Sequence, residues 1–249
     1  MKFTTDGLII SEMNIGEQDR LVTVLTRNRG IIRAFVKGAK NIRSPKNAST
    51  RLLCYSRLDI FVGRDKYIID DAVSQEMFIN LRSDIEKLSL AQYFCELVGY
   101  VCPEGEPAED YLRLTLNSLY FLSNGKRSND VLKAIYELRI LSVSGYMPDL
   151  VGCCKCRCYE AEKMYFQPFS GTLICGDCID ESGFESAINI GMGVTSAMRH
   201  IIYSQFEKLF SFTLSRDGER LLEHVSEMYL FTRIEKDFTA LKFYKTIKN

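Results

Sequence analysis

The sequence predicts an α+β chain in which a small β-barrel precedes an all-α domain, and a four-cysteine metal module is inserted among the helices. Three observations carry this. Short β-branched runs separated by turn residues fill the first 75 or so positions, a helical period takes over afterwards, and six cysteines crowd between Cys153 and Cys178. The expected boundaries are 1–78 for the barrel and 79–249 for the helical domain, interrupted by the module at 150–182.

The strand runs are Leu8-Ile9-Ile10, then residues 21–25, 31–36 and 58–62, and Tyr67-Ile68-Ile69. Turns at Asn14-Ile-Gly16, Asn28-Arg-Gly30 and Gly63-Arg-Asp65 separate them, and five short strands so punctuated suggest a barrel. Residues 37–49 break the pattern. Gly38, Asn41, Ser44, Pro45, Asn47 and Ser49 predict a long flexible loop there.

The first helix is expected to be capped by Ser83, to place Leu88, Phe94, Leu97, Val98 and Val101 on one side, and to end at Pro103 and Gly105. Pro107 suits the first turn of a second helix, with Leu112, Leu116, Leu119 and Tyr120, ending at Asn124-Gly125. Ser128 is the expected cap of a third, with Val131, Ile135, Leu138 and Leu141, closed by Gly145 and Pro148. After the module, helical pattern returns at 193–209 and again from Ser215, with Leu221, Leu222, Val225 and Met228.

Composition narrows the classes. A hydrophobic fraction of 46% supplies a sizeable core. Lys plus Arg equals Asp plus Glu at 32 each, so net charge names no partner and only the distribution can. No run of eighteen apolar residues is present, which predicts no membrane span. The opening MKFTTDGLII has neither the basic start nor the apolar core of a secretory signal, and the expected compartment is the cytoplasm. In a reducing compartment, clustered cysteines point to metal rather than disulfides.

Cys153-x-x-Cys156, eighteen residues, then Cys175-x-x-Cys178 has the spacing of a structural zinc site. Two cysteines three apart on a tight turn aim their sulfurs at one ion, and two such turns at the ends of a hairpin complete a tetrahedron. Gly176 suits the second turn, Tyr165-Phe166 the outgoing strand and Thr172-Leu173-Ile174 the returning one. Four thiolates close the shell, so one Zn2+ would serve as scaffold, and such binding is worth about 10–16 kcal/mol in small peptides. Cys154 and Cys158 also have ligand-like spacing, and as alternatives are a buried small residue, a spare thiol or part of a redox switch. Cys54, Cys95 and Cys102 sit in apolar patterns and read as core.

Between Asp19 and Asp59 no acidic residue occurs, while Arg20, Arg27, Arg29, Arg33, Lys37, Lys40, Arg43, Lys46, Arg51 and Arg57 all do. A solvated face accounts for short charge runs. This run is long and includes a loop able to drape over a polyanion, so the first nine of these residues are the nominated nucleic-acid contacts. Phe35 and Tyr55 are candidate stacking residues. Enzymatic readings find little footing. The two histidines, His200 and His224, lack metal-pair spacing, and no phosphate-binding glycine loop or nucleophile elbow is present. Asp70-Asp71 and Glu109-Asp110 join no catalytic motif, so no catalytic residue is nominated.

Taken in order, several segments together resemble the RecO family of bacterial recombination mediators. They are Gly7-Leu8-Ile9-Ile10 through Gly16-Glu17-Gln18-Asp19-Arg20, and Gly30 with a strand into Lys37-Gly38-Ala39-Lys40. Most specific is Tyr136-Glu137-Leu138-Arg139-Ile140-Leu141, then Gly145-Tyr146-Met147-Pro148-Asp149-Leu150 and Cys153-x-x-Cys156, followed by Phe169-x-Gly171-x-x-x-Cys175-x-x-Cys178. The resemblance implies an N-terminal OB-fold and an inserted zinc module whose ligands are Cys153, Cys156, Cys175 and Cys178. It implies a non-enzymatic, nucleoid-associated protein that binds single- and double-stranded DNA and anneals complementary strands. Its implied partners are RecR, the C-terminal tail of the single-strand-binding protein and, indirectly, RecA. For that acidic tail, Arg113, Lys133 and Arg139 are the nominated basic residues of the helical domain. The competing reading is a zinc-ribbon transcription or translation factor that uses the same platform for RNA.

Overall fold

The structure, a computed structural model, describes residues 1–41, 43–64, 66–179 and 186–248. It divides into two compact units, residues 1–126 with 238–249, and residues 127–237. The change from strand to helix near residue 79 therefore falls inside the first unit.

In the first unit, β1 (Lys2–Ile15), β2 (Asp19–Thr26), β3 (Gly30–Val36), β4 (Tyr55–Val62) and β5 (Tyr67–Glu76) close a barrel in the order β1-β2-β3-β5-β4. β1 is far longer than its three-residue apolar run. Its first half pairs with β4 and its second half with β2, the two overlapping at Gly7 and Leu8, and the β2 pairing is irregular between Ile9 and Ser11. Ile9, Val22, Val24, Ile32, Ala34, Val36, Leu58, Ile60 and Ile69 fill the interior, and burying each large one stabilises the barrel by about 1.5–3 kcal/mol. Because strand side chains alternate, the residues between them face outward.

The described residues of the 37–49 stretch, from which Ile42 is left out, do not form a free loop. Pro45–Ser49 make a short helix, α1, and the stretch before it is tied to the β1–β2 turn. Lys40 N donates to Gln18 O at 3.1 Å, Lys40 Nζ to Gly16 O at 2.9 Å, and Gly38 N to the Asp19 carboxylate at 2.9 Å.

The same unit holds a 3-10 turn, Ile79–Ser83, then α2 (Ile85–Val101), α3 (Glu109–Asn124) and the last helix, α7 (Thr239–Ile247). Asp84, not Ser83, caps α2: its carboxylate accepts from Glu86 N and Lys87 N at 3.0 and 3.1 Å, while Ser83 is spent in the 3-10 turn. Pro107 lies outside α3, whose cap is Ala108, and Gly125 ends that helix at φ 61. α7 has no counterpart in the helical reading above. It packs on α2, where Tyr93 meets Phe238 edge-on at 5.6 Å and the Glu96 carboxylate accepts from Ala240 N at 3.1 Å.

The second unit contains α4 (Asn129–Val143), α5 (Gly191–Tyr203) and α6 (Arg216–Arg233), with a small sheet of β6 (Asp149–Cys153), β7 (Met164–Gln167), β8 (Thr172–Cys175) and β9 (Ile188–Asn189) in the order β6-β8-β7-β9. Ser128 caps α4 through Val131 N, and Ser215 caps α6 through Gly218 N. α5 stops at Tyr203 rather than running to 209. The Arg139 guanidinium bonds the carbonyls of Ile201 and Ile202 there, a cation at the negative end of a helix, and the chain then turns back so that Lys208 O meets His200 Nε2 at 2.7 Å. Among the described residues no helix is long and apolar enough to cross a membrane.

Candidate nucleic-acid interface and metal centre

The sulfurs of Cys153, Cys156, Cys175 and Cys178 lie within 4.8 Å of one another. Cys153 ends β6 and Cys175 ends β8, and the pairing of Cys153 with Leu173 brings the two knuckles together. A tetrahedral zinc with Zn–S near 2.3 Å has S···S edges of ~3.8 Å. The Cys156 and Cys175 sulfurs are 3.6 Å apart, so the donor set fits such an ion. Burial works against a charged Cys153, but backbone amides of Cys156, Cys175 and Lys155 aimed at its sulfur outweigh it and bring the pKa down to about 6.

Gly152 makes the first knuckle possible, because a Cβ there would lie 2.9 Å from Arg157 O and 3.0 Å from Cys158 O. Gly176 matters for space rather than for a left-handed turn: Lys163 Cβ lies 3.1 Å from where its Cβ would be. Of the two extra cysteines, Cys154 serves the sheet, its N–H donating to Leu173 O at 2.8 Å. Cys158 backs the knuckle, its carbonyl accepting from Cys153 N at 2.9 Å.

A further anchor, Arg199, escapes sequence reading. This buried α5 residue donates from Nε to Leu150 O at 2.7 Å and from Nη2 to Tyr159 O at 2.8 Å, and lies 3.8 Å from the Tyr159 ring centroid. Its one signal is a charge set into the apolar stripe Val194, Ala197, Met198, Ile201 and Ile202.

On the barrel, the nominated cations separate. Arg20 is a correction: it is 2% exposed, bonds Asn47 O and Thr50 O at 3.2 and 3.1 Å, and pairs with Glu12 at 3.4 Å. Its guanidinium pins the 37–50 segment from beneath and cannot reach a surface ligand. Acids from outside the run engage two more, Arg51 with Glu12 at 3.8 Å and Arg27 with Glu109 at 3.2 Å. Arg29 lies 4.4 Å over the Phe3 ring. Arg33, Lys37 and Arg43 are exposed, Lys40 and Lys46 half-buried, and among the described residues no acid pairs with Arg33, Lys37 or Arg43. Arg64 and Lys66, outside the acid-free run, are exposed in the β4–β5 turn. A charge census along the chain passes over them; strand pairing finds them.

The basic residues nominated in the helices also divide. Lys133 is a correction: fully buried, it pairs with Glu137 at 2.9 Å on α4 and with Glu227 and Glu223 at 2.8 and 3.5 Å on α6. Burial alone would lower its pKa, but the three carboxylates reverse this and raise it. Ser226 completes the network by donating to Glu137 at 2.7 Å. Arg139 is half-buried, bound to the end of α5 and 4.8 Å over the Phe206 ring. Arg113 is half-buried on α3, in the other unit.

A closed five-stranded, OB-like barrel with exposed cations is followed by helices that carry a four-thiol cluster able to hold a metal ion. Family models agree on the particular kind: the N-terminal domain of recombination protein O matches residues 1–78, and its C-terminal domain matches residues 82–242. DNA repair protein RecO of Acetivibrio thermocellus is 37% identical over 243 residues, 98% of this chain and 96% of that one. The RecO proteins of Symbiobacterium thermophilum and Caldicellulosiruptor saccharolyticus are each 27% identical over at least 98% of both chains. The chain belongs to the RecO family, and its role is in recombinational DNA repair.

Proposed function

We propose that the protein is a non-enzymatic mediator that binds single- and double-stranded DNA through its barrel and anneals complementary strands. With RecR, it helps load RecA onto single strands coated by the single-strand-binding protein. The observation that carries this is the exposed set Arg33, Lys37 and Arg43, which no acid pairs among the described residues, on a barrel that buries its apolar residues inward. Cations on one surface neutralise phosphates of two strands, lower their repulsion and leave sequence reading to base pairing. The tethering of Lys40 to the β1–β2 turn supports this by holding the loop's backbone in place before DNA arrives.

In this reading Cys153, Cys156, Cys175 and Cys178 hold one Zn2+ that fixes the fold of the module. Arg139 is the proposed contact for the acidic tail of the single-strand-binding protein. Because Arg139 also caps α5, titration of the tail peptide against Arg139→Ala is paired with a thermal melt. Unchanged affinity in a folded variant removes the assignment.

The deciding experiment is annealing of complementary strands coated with single-strand-binding protein, using wild type and the variant Lys37→Glu/Lys40→Glu/Arg43→Glu. The variant is expected to anneal at least about tenfold more slowly. Full activity overturns the proposed DNA surface, and a marked preference for RNA in competition favours an RNA-binding factor instead.

A further inference from the structure

We infer that Cys156 and Cys158 form a modification site for hydroperoxides, at which oxidation joins the two sulfurs in a disulfide and releases the metal. This rests on the reading of Cys153, Cys156, Cys175 and Cys178 as a zinc shell, and it gives a role to Cys158, which that reading leaves unused.

The first knuckle is a closed loop. Arg157 N donates to Cys153 O and Cys153 N donates to Cys158 O, both at 2.9 Å. Gly152 lets the returning chain pass, because a Cβ there would lie 3.0 Å from Cys158 O. Arg157 sits at φ 64, in the left-handed region that a residue with a Cβ adopts only at a cost. That bend returns Cys158 to the side of Cys153, itself a member of the cluster. Residues two apart in an extended chain have Cα atoms ~7 Å apart, and a bend between them brings the pair into the ~4.4–6.8 Å that a disulfide spans. Cys156 is also the neighbour that does most to push the Cys158 thiol up, to about 12. Cys154 is placed differently, next to Cys153 in the chain and with its backbone held by Leu173 O.

Exposure selects the sulfur that reacts first. Cys153 and Cys175 are buried and Cys178 is half-buried, whereas Cys156 is exposed. The Cys156 thiolate attacks the outer oxygen of the hydroperoxide, the O–O bond breaks, and the alkoxide or hydroxide released takes a proton from water. Cys156 is then a sulfenic acid. The Cys158 sulfur displaces its oxygen: the S–S bond forms, the S–O bond breaks, and the Cys158 proton leaves with the hydroxide as water. The two sulfurs lose two electrons and the peroxide gains them. A sulfur held in a disulfide carries no charge for an ion, so the shell offers three thiolates instead of four and yields its ion to a competing chelator. The disulfide closes over a single residue, and such a strained ring is readily reopened by thiols, which makes the change reversible.

The test treats the zinc-loaded full chain with hydrogen peroxide and follows zinc released to a chromogenic chelator together with the unreduced tryptic peptides. Trypsin cuts after Lys155, Arg157 and Lys163, so the disulfide leaves the dipeptide Cys156-Arg157 joined to residues 158–163, lighter by two hydrogens than the separate pair. That linked peptide should appear as zinc leaves and vanish after dithiothreitol, with zinc rebinding. Cys158→Ser and Cys158→Ala keep all four ligands. Each should hold one zinc, form no linked peptide and release the ion at least about fivefold more slowly, while Cys154→Ser should match wild type. Zinc release without the linked peptide, or with Cys154 in the linkage instead, overturns the proposal and leaves the metal reading standing. Release from both Cys158 variants at the wild-type rate does the same. Wild type that holds no zinc overturns both. Should the Cys158 variants themselves bind no zinc, the linked peptide of wild type decides alone.

Discussion

In the barrel Arg33, Lys37 and Arg43 stay exposed, whereas in the helical unit Lys133 and Arg199 are enclosed by the protein's own groups. Lys133 is enclosed by three carboxylates and Arg199 by three carbonyls, so each is satisfied before any ligand arrives. Lys37 and Arg43 meet no acid among the described residues and stand in water. A lysine's role is set by what surrounds its ammonium. Charges of the first kind hold a fold together, and those of the second remain available to a ligand.

The comparison can be broken in several places. The largest effect is expected in the module. Cys153→Ser should abolish stoichiometric zinc binding and expose residues 149–178 to proteolysis, because the thiolate shell stabilises by about 10–16 kcal/mol in comparable peptides. Barrel-based binding of oligothymidylate should persist, and metal analysis with limited proteolysis checks both. Next is Lys133→Met, which strands buried carboxylates without their cation. It should cost about 3–5 kcal/mol in urea unfolding yet leave DNA affinity per folded molecule unchanged.

The raised pKa of Lys133 gives a pH sign. Its contribution is complete below the unfolded-state value of about 10.4 and is lost as pH rises from there through the higher folded value. Urea midpoints followed upward from neutral pH should therefore fall more steeply above about pH 10.4 in wild type than in Lys133→Met. Arg199→Ala comes third. It leaves carbonyls of β6 and of Tyr159 without donors, at about 1–3 kcal/mol, and should lower the melting temperature without altering the salt dependence of DNA binding.

Features set by short sequence spacing were legible from the residues alone. Cys153-x-x-Cys156 and Cys175-x-x-Cys178 closed into one cluster because a tight turn fixes where two sulfurs three residues apart must point. The five strands, the cap Ser128 and the start of a helix at Ser215 were legible for the same reason. Direction across the barrel was not. Arg20 belongs to the acid-free run by sequence, but its side chain lies beneath the 37–50 segment, where the backbone of Asn47 and Thr50 binds it. Arg64 and Lys66 fall beyond Asp59, and only the parallel pairing of β3 with β5 sets them beside Arg33. Lys133 and Glu137 are an ordinary i, i+4 pair until α6 supplies Glu223 and Glu227. In each case the missing information was a partner distant in sequence.

The central claim is that exposed barrel cations, and not the helical unit's, bind DNA. The most direct test is the salt dependence of single-strand affinity for wild type, Lys37→Glu/Lys40→Glu/Arg43→Glu and Lys133→Met. About four phosphate contacts predict a wild-type log–log slope near −3, flattened by about 2 in the loop variant and unchanged in Lys133→Met. A wild-type slope near zero, or a loop variant indistinguishable from wild type, would contradict the account.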